Sequence, residues 1–189
     1  MIVARRNGLS PAAIMAMLGV TLRVMLGRIP AVGHFLATPD GLWQAIGASL
    51  LLTVLVSLYP GLMATPTLFF TSIIVQLIGV LLLLLMFHRL LTRLGCGNKF
   101  LPFAVPFLWI ENLQQLLGGI VQNLLVMTGD QTVLILILPL AIWTIYWLWR
   151  LGRDIIGKGG GVAAGLVVLS FMIDLGLLLV LQSRVGGAG

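Results

Sequence analysis

Charge is what this sequence has least of. Of its 189 residues only 8% are Asp, Glu, Lys or Arg, against a hydrophobic share of 60% and a mean hydropathy of +1.15. A water-soluble domain carries roughly 25% charged residues because its surface must face water. With so few charges, most of this chain's surface must face lipid. Cysteine is nearly absent as well. Cys96 stands alone, which excludes an intramolecular disulfide and any multi-cysteine metal site. It lies between glycines in a basic loop and reads as an inert thiol. The two histidines, His34 and His88, fall near segment ends, whereas haem ligation needs histidines facing each other across a bundle. No G-x-S-x-G elbow accompanies the Ser, His and Asp residues, and there is no HExxH zinc motif. The glycines between 157 and 161 lack the spacing and the preceding strand of a phosphate-binding loop. No catalytic constellation and no cofactor is expected.

The basic excess, a net charge of +6 with a pI near 10.8, could point to nucleic acid. No basic run forms such a footprint, however. The Lys and Arg residues are spread thinly at the ends of apolar segments, where membrane proteins use them to set orientation. A nucleic-acid partner is therefore not expected.

What is abundant is long apolar sequence. Crossing a hydrocarbon core of about 30 Å takes about 20 helical residues. Segments of that order occur at 41–62, 67–88, 103–127, 131–150 and 161–182, the third of them interrupted by polar groups. Backbone polar groups in lipid must be satisfied within their own segment, so these read as helices. The expected fold is all-α, a polytopic integral membrane protein with a five-transmembrane-helix bundle.

Local chemistry marks the boundaries. Thr38-Pro39-Asp40 supplies an N-cap, a proline at the first helical position and an acid in the first turn. Pro60-Gly61 is expected to end the first span, and Pro66 precedes the second. Gly95, Gly97 and Asn98 break the chain after the second. Gly129-Asp130 makes a turn so short that spans three and four must be antiparallel neighbours. Ten of the eleven Lys and Arg residues fall on alternate segments, which by the positive-inside rule predicts N-in/C-out. Residues 1–40 then form a cytoplasmic tail with an interfacial amphipathic helix over about 11–27, too short to span. A cleaved signal there would invert every later loop against the charge rule, and a sixth span would put Arg5 and Arg6 outside. Residues 184–189 form an exterior tail.

The third span carries the unusual chemistry. Glu111, Gln115, Gly118 and Gln122 share one helical face, and Asn112, Gly119 and Asn123 continue it on the adjoining side. Such a stripe cannot face lipid, where unpaired polar groups are costly. Gly118 and Gly119 are placed to let a neighbouring helix approach closely. Asp174 lies inside the fifth span. No Lys or Arg within any span can pair with Glu111 or Asp174, so both are expected to be neutral. They read either as staples hydrogen-bonded to the amides or as a proton- or cation-coupling site. Trp143, Trp147 and Trp149 with Arg150 read as interface anchors, an aromatic belt at the cytoplasmic surface.

The turn LATPDGLWQAI (36–46) and the patch LWIENLQQ (108–115), set in an N-terminal cytoplasmic segment and five spans, resemble the Yip family, more closely its bacterial Yip-like relatives. The resemblance implies a five-span fold in a bacterial inner membrane. The long eukaryotic cytoplasmic tail is missing, so Rab binding does not carry over. The functional expectation is a non-enzymatic membrane scaffold or accessory subunit whose partners are the lipid bilayer and other membrane proteins or copies of itself. The alternative is a small transporter or channel component coupled at Glu111 and Asp174.

Overall fold

The computed structural model describes residues 10–31, 33–63 and 66–186. Among them the chain is all-helical, without strands. Six α-helices follow one another: α1 (Pro11–Met25), α2 (Pro39–Met63), α3 (Pro66–Arg93), α4 (Phe100–Thr128), α5 (Ile137–Ile156) and α6 (Gly160–Gly186). A 3-10 stretch, Gln131–Leu136, leads directly into α5.

Four helical stretches are long and apolar enough to cross a membrane: Pro39–Leu58, Phe69–Arg93, Gln131–Ile156 and Gly160–Leu177. The fold is a helical membrane bundle. The remaining long helix, α4, has 29 residues and so measures about 43 Å. Its Glu, Asn and Gln content sets it apart from the other four, and its position explains how that content is tolerated. It packs against α1, α2, α3 and α5, while α6 lies across α5 and α3. Every residue from Phe103 to Ile110 is buried, as expected of a helix surrounded on all sides. Phe87 of α3 packs edge-on against Phe107, ring centroids 4.9 Å apart, and tilted against Phe103 at 5.2 Å.

Most expected starts and stops fall where local chemistry puts them. Thr38 Oγ1 accepts from the Gly41 N–H at 3.2 Å, and α2 opens at Pro39. A side chain at Gly41 would collide with the Leu36 carbonyl oxygen, so the turn before α2 requires glycine there. Gly129 and Gly157 close α4 and α5 with φ of +66° and +67°, the left-handed conformation that glycine adopts without strain.

One boundary is corrected. Pro60-Gly61 does not end the first span, because α2 runs on to Met63. A proline at 60 has no N–H to give the Val56 carbonyl one turn back. That carbonyl instead accepts from Asn123 Nδ2 of α4, at 3.4 Å. The helix therefore continues at little cost. Other ends shift outward: α3 reaches Arg93, α5 reaches Ile156, and α6 reaches Gly186, taking in the first residues of the expected exterior tail. Residues 187–189 and the basic pair at 5 and 6 lie outside the described residues.

A helix is present where the interfacial one is expected: α1. Ser10 Oγ caps it by accepting from the Ala13 N–H at 3.2 Å, and Pro11 occupies the first turn. Ile14, Leu18, Thr21 and Met25 form one buried stripe, and the helix packs on α4. Its inner face is thus turned toward protein.

Candidate intramembrane polar site

The polar stripe of α4 divides between one neighbour and a cavity. One part zips α4 to α2. Asn112, fully buried, donates from Nδ2 to the Ala45 carbonyl at 2.9 Å. One turn on, Gln115 Nε2 donates to Thr53 Oγ1 at 2.6 Å, and the Thr53 hydroxyl donates to the Ser49 carbonyl at 2.9 Å. Asn123 closes the seam on Val56. Between these contacts Gly119 lies so close to α2 that a Cβ would overlap the Val56 side chain. The close approach expected from the glycine pair is therefore made by Gly119. Gly118 is corrected: it has open space around it and lines a cavity instead. Asn123 Oδ1 is the one buried side-chain polar atom left without a hydrogen bond among the described residues.

The other part of the stripe faces open space. Glu111, Gln114 and Gln122 line a cavity of about 580 Å³, together with Ser49 of α2, Gln76 of α3, Ala141 of α5 and Asp174 of α6. An adjoining pocket of about 270 Å³ is walled by Gln76, Gly79, Leu83, Glu111, Asp174 and Leu177. Three residues, Gln76, Glu111 and Asp174, belong to both. The site is thus a junction of α3, α4 and α6. Gly79 lets α6 come close to α3 beside it, since a Cβ there would come within 2.8 Å of the Leu177 side chain.

At the junction the two carboxyls behave unlike the amides. Glu111 is half-buried and Asp174 is exposed toward the cavity side of α6. They are within electrostatic reach of each other. Neither carboxyl forms a hydrogen bond or an ion pair with any described residue, while Gln76 Nε2 donates to Ser49 Oγ at 3.0 Å. The expected stapling of the acids to amides is thereby corrected. Asn112, Gln115 and Asn123 of α4 and Gln76 of α3 all bond α2, and the acids are left over. No group of three or more His, Cys, Asp or Glu side chains converges on a metal position among the described residues.

Gln76, Ser49 and Thr53 are the site residues that sequence reasoning missed. Their signal was faint: a lone amide in the apolar run of α3, and two small hydroxyls four apart on α2.

The tryptophans of α5 also make contacts within the protein. Trp147 is buried at 8% exposure. Trp143 donates from Nε1 to the Met25 carbonyl at 3.2 Å, and Trp149 to the Gly160 carbonyl at 3.1 Å. These rings tie α5 to the end of α1 and the start of α6. Arg150 stacks on Trp147, its guanidinium 4.7 Å from the ring centre. The most exposed tryptophan is Trp43, at the start of α2.

No protein-family model matches the chain, and neither a curated protein nor a solved structure does.

Proposed function

We propose that this chain is a five-span bacterial inner-membrane protein, N-in/C-out, that holds or passes a proton or a small monovalent cation at Glu111 and Asp174. One observation carries the reading: two carboxyls share a cavity between apolar helices, and neither has a partner. An acid at mid-bilayer depth costs about 2.5–3.5 kcal/mol on insertion scales. Packing accounts for Asn112, Gln115 and Asn123 through their bonds to α2, but it does not account for the acids. Carboxyl and amide oxygens are the ligands that hard cations prefer, and Gln114 and Gln122 stand on the same wall. The leading segment and the five spans also fit the bacterial Yip-like pattern at 36–46 and 108–115.

The scaffold reading stays as the second. It is favoured by the seam between α2 and α4, in which most of the α4 amides are structural. Proton flux into proteoliposomes separates the two, measured with a pH-sensitive dye on the wild type, Glu111→Gln and Asp174→Asn. An amide matches a protonated acid in shape but cannot release a proton. Loss of flux in both variants, with unchanged unfolding temperature, is the expected result. Wild-type flux indistinguishable from empty vesicles, or full flux with both amides, returns the protein to the scaffold reading.

A further inference from the structure

A third pocket lies away from the carboxyls, where the chain leaves α1 and passes the C-terminal half of α5. Its volume is about 340 Å³, within the usual range of about 300–1,000 Å³ for ligand sites. Its walls are apolar: Val24, Ile29, Pro30, Ile110, Leu151 and Ile155. Its polar groups are Arg28, Arg150 and Asp154. The charges do not cancel. Asp154 is taken by Arg153, whose Nε and Nη2 both lie 3.0 Å from Oδ1. Arg150 reaches Asp154 only through Nε, at 3.6 Å. That separation is too long for a hydrogen bond. The terminal nitrogens of Arg150 and the whole guanidinium of Arg28 make no hydrogen bond to any described residue. Stacking on Trp147 holds Arg150 in place while leaving its outer edge free. Two guanidinium groups therefore border one apolar-walled cup.

We infer that this pocket binds a phosphate ester through Arg28 and Arg150. Guanidinium groups match phosphate oxygens in bidentate geometry, and basic pockets between helices at the membrane surface take lipid headgroups. The apolar walls assign the ester to an anionic phospholipid, with the glycerol and first acyl carbons against Ile29, Pro30 and Ile155, the accessible apolar side chains of the wall. A soluble phosphate has nothing to offer those walls. The pocket is separate from the Glu111–Asp174 cavity and does not depend on what that cavity carries.

Native mass spectrometry of the full chain released from neutral detergent tests the assignment. The added ligands are phosphatidylglycerol, phosphatidylcholine or glycerol 3-phosphate, each in turn. Phosphatidylglycerol should be retained in preference to phosphatidylcholine, and glycerol 3-phosphate should not be retained. Arg28→Gln and Arg150→Gln should each weaken retention roughly tenfold, the scale of one lost charge-assisted contact. Arg93→Gln, outside the pocket, should leave it unchanged. Arg28 is exposed, so its variant keeps the test valid even if Arg150→Gln disturbs Trp147. Equal retention of both lipids, or retention unchanged in Arg28→Gln, overturns the site. Retention of glycerol 3-phosphate overturns the lipid assignment.

Discussion

Gly118 and Gly119 are neighbours in sequence and opposites in the structure. Gly119 sets how closely α4 meets α2, and Gly118 borders empty space. Gly119→Val should therefore overpack the seam against Val56 and lower stability by about 1–3 kcal/mol. Gly118→Ala should be neutral or stabilise by up to about 1 kcal/mol, because alanine is the better helix former. Thermal unfolding of both variants in the same detergent compares them directly. Equal losses would mean that the seam is not where α4 docks. The pair also shows what sequence can and cannot tell at this scale. That the polar residues of α4 avoid lipid follows from their helical spacing. Which of them meets α2 and which meets the cavity depends on where the neighbours stand, and a stripe carries no record of its neighbours. The same holds for Glu111: its burial and its lack of a basic partner were legible, its lack of a hydrogen-bond partner was not.

At the scale of elements, the turn between α4 and α5 has its own chemistry. Asp130 Oδ1 accepts from the Thr132 N–H at 2.9 Å and caps the 3-10 stretch that opens the next span. That bond favours the ionised carboxyl and holds its pKa below the ordinary 3.8. A folded-state value below the unfolded one gives stability that is present above the unfolded value and lost as pH falls through the folded one. Acid below the usual carboxylate range should thus loosen this turn in the wild type. Asp130→Asn should flatten that part of the pH dependence and change little at neutral pH. Hydrogen exchange of the Thr132 amide across pH 2–6 reads the effect, and identical profiles in both proteins would remove Asp130 as the cause. The cap at Thr38 and the turn at Gly129-Asp130 were readable because their partners lie within a few residues. The end of α2 was not, because the carbonyl that Pro60 frees is satisfied from α4, far along the chain.

At the scale of the whole molecule, orientation is the claim with the widest consequences. Asp130 and Lys158 are exposed and stand at opposite ends of α5. In a Cys96→Ala background, Asp130→Cys should react with an impermeant thiol reagent on intact cells, and Lys158→Cys should react only after lysis. The reverse pattern would invert the topology and move the phosphate pocket to the outer leaflet. The native Cys96 is buried at 4% exposure, so the unmodified chain should stay unlabelled from either side. The number of long helices could be read from the apolar runs. The central place of α4 could not. Its polar residues break its apolar run, and only the surrounding helices show that it is the core.

That central position bears on how the protein enters the bilayer. The segment that α1, α2, α3 and α5 pack around is also the one least able to partition into lipid alone. With Glu111, Asn112, Gln115 and Asn123 unpaired, α4 would leave the translocon reluctantly, whereas α2 and α3 can insert unaided. The Ala45, Thr53 and Val56 acceptors on α2 are made first, so they already wait in the membrane when α4 emerges. The turn at Gly129 and Asp130 then joins α4 to the strongly apolar α5, which can draw it in as a hairpin. The order of synthesis thus places each acceptor ahead of its donor, and biogenesis and packing depend on the same few atoms.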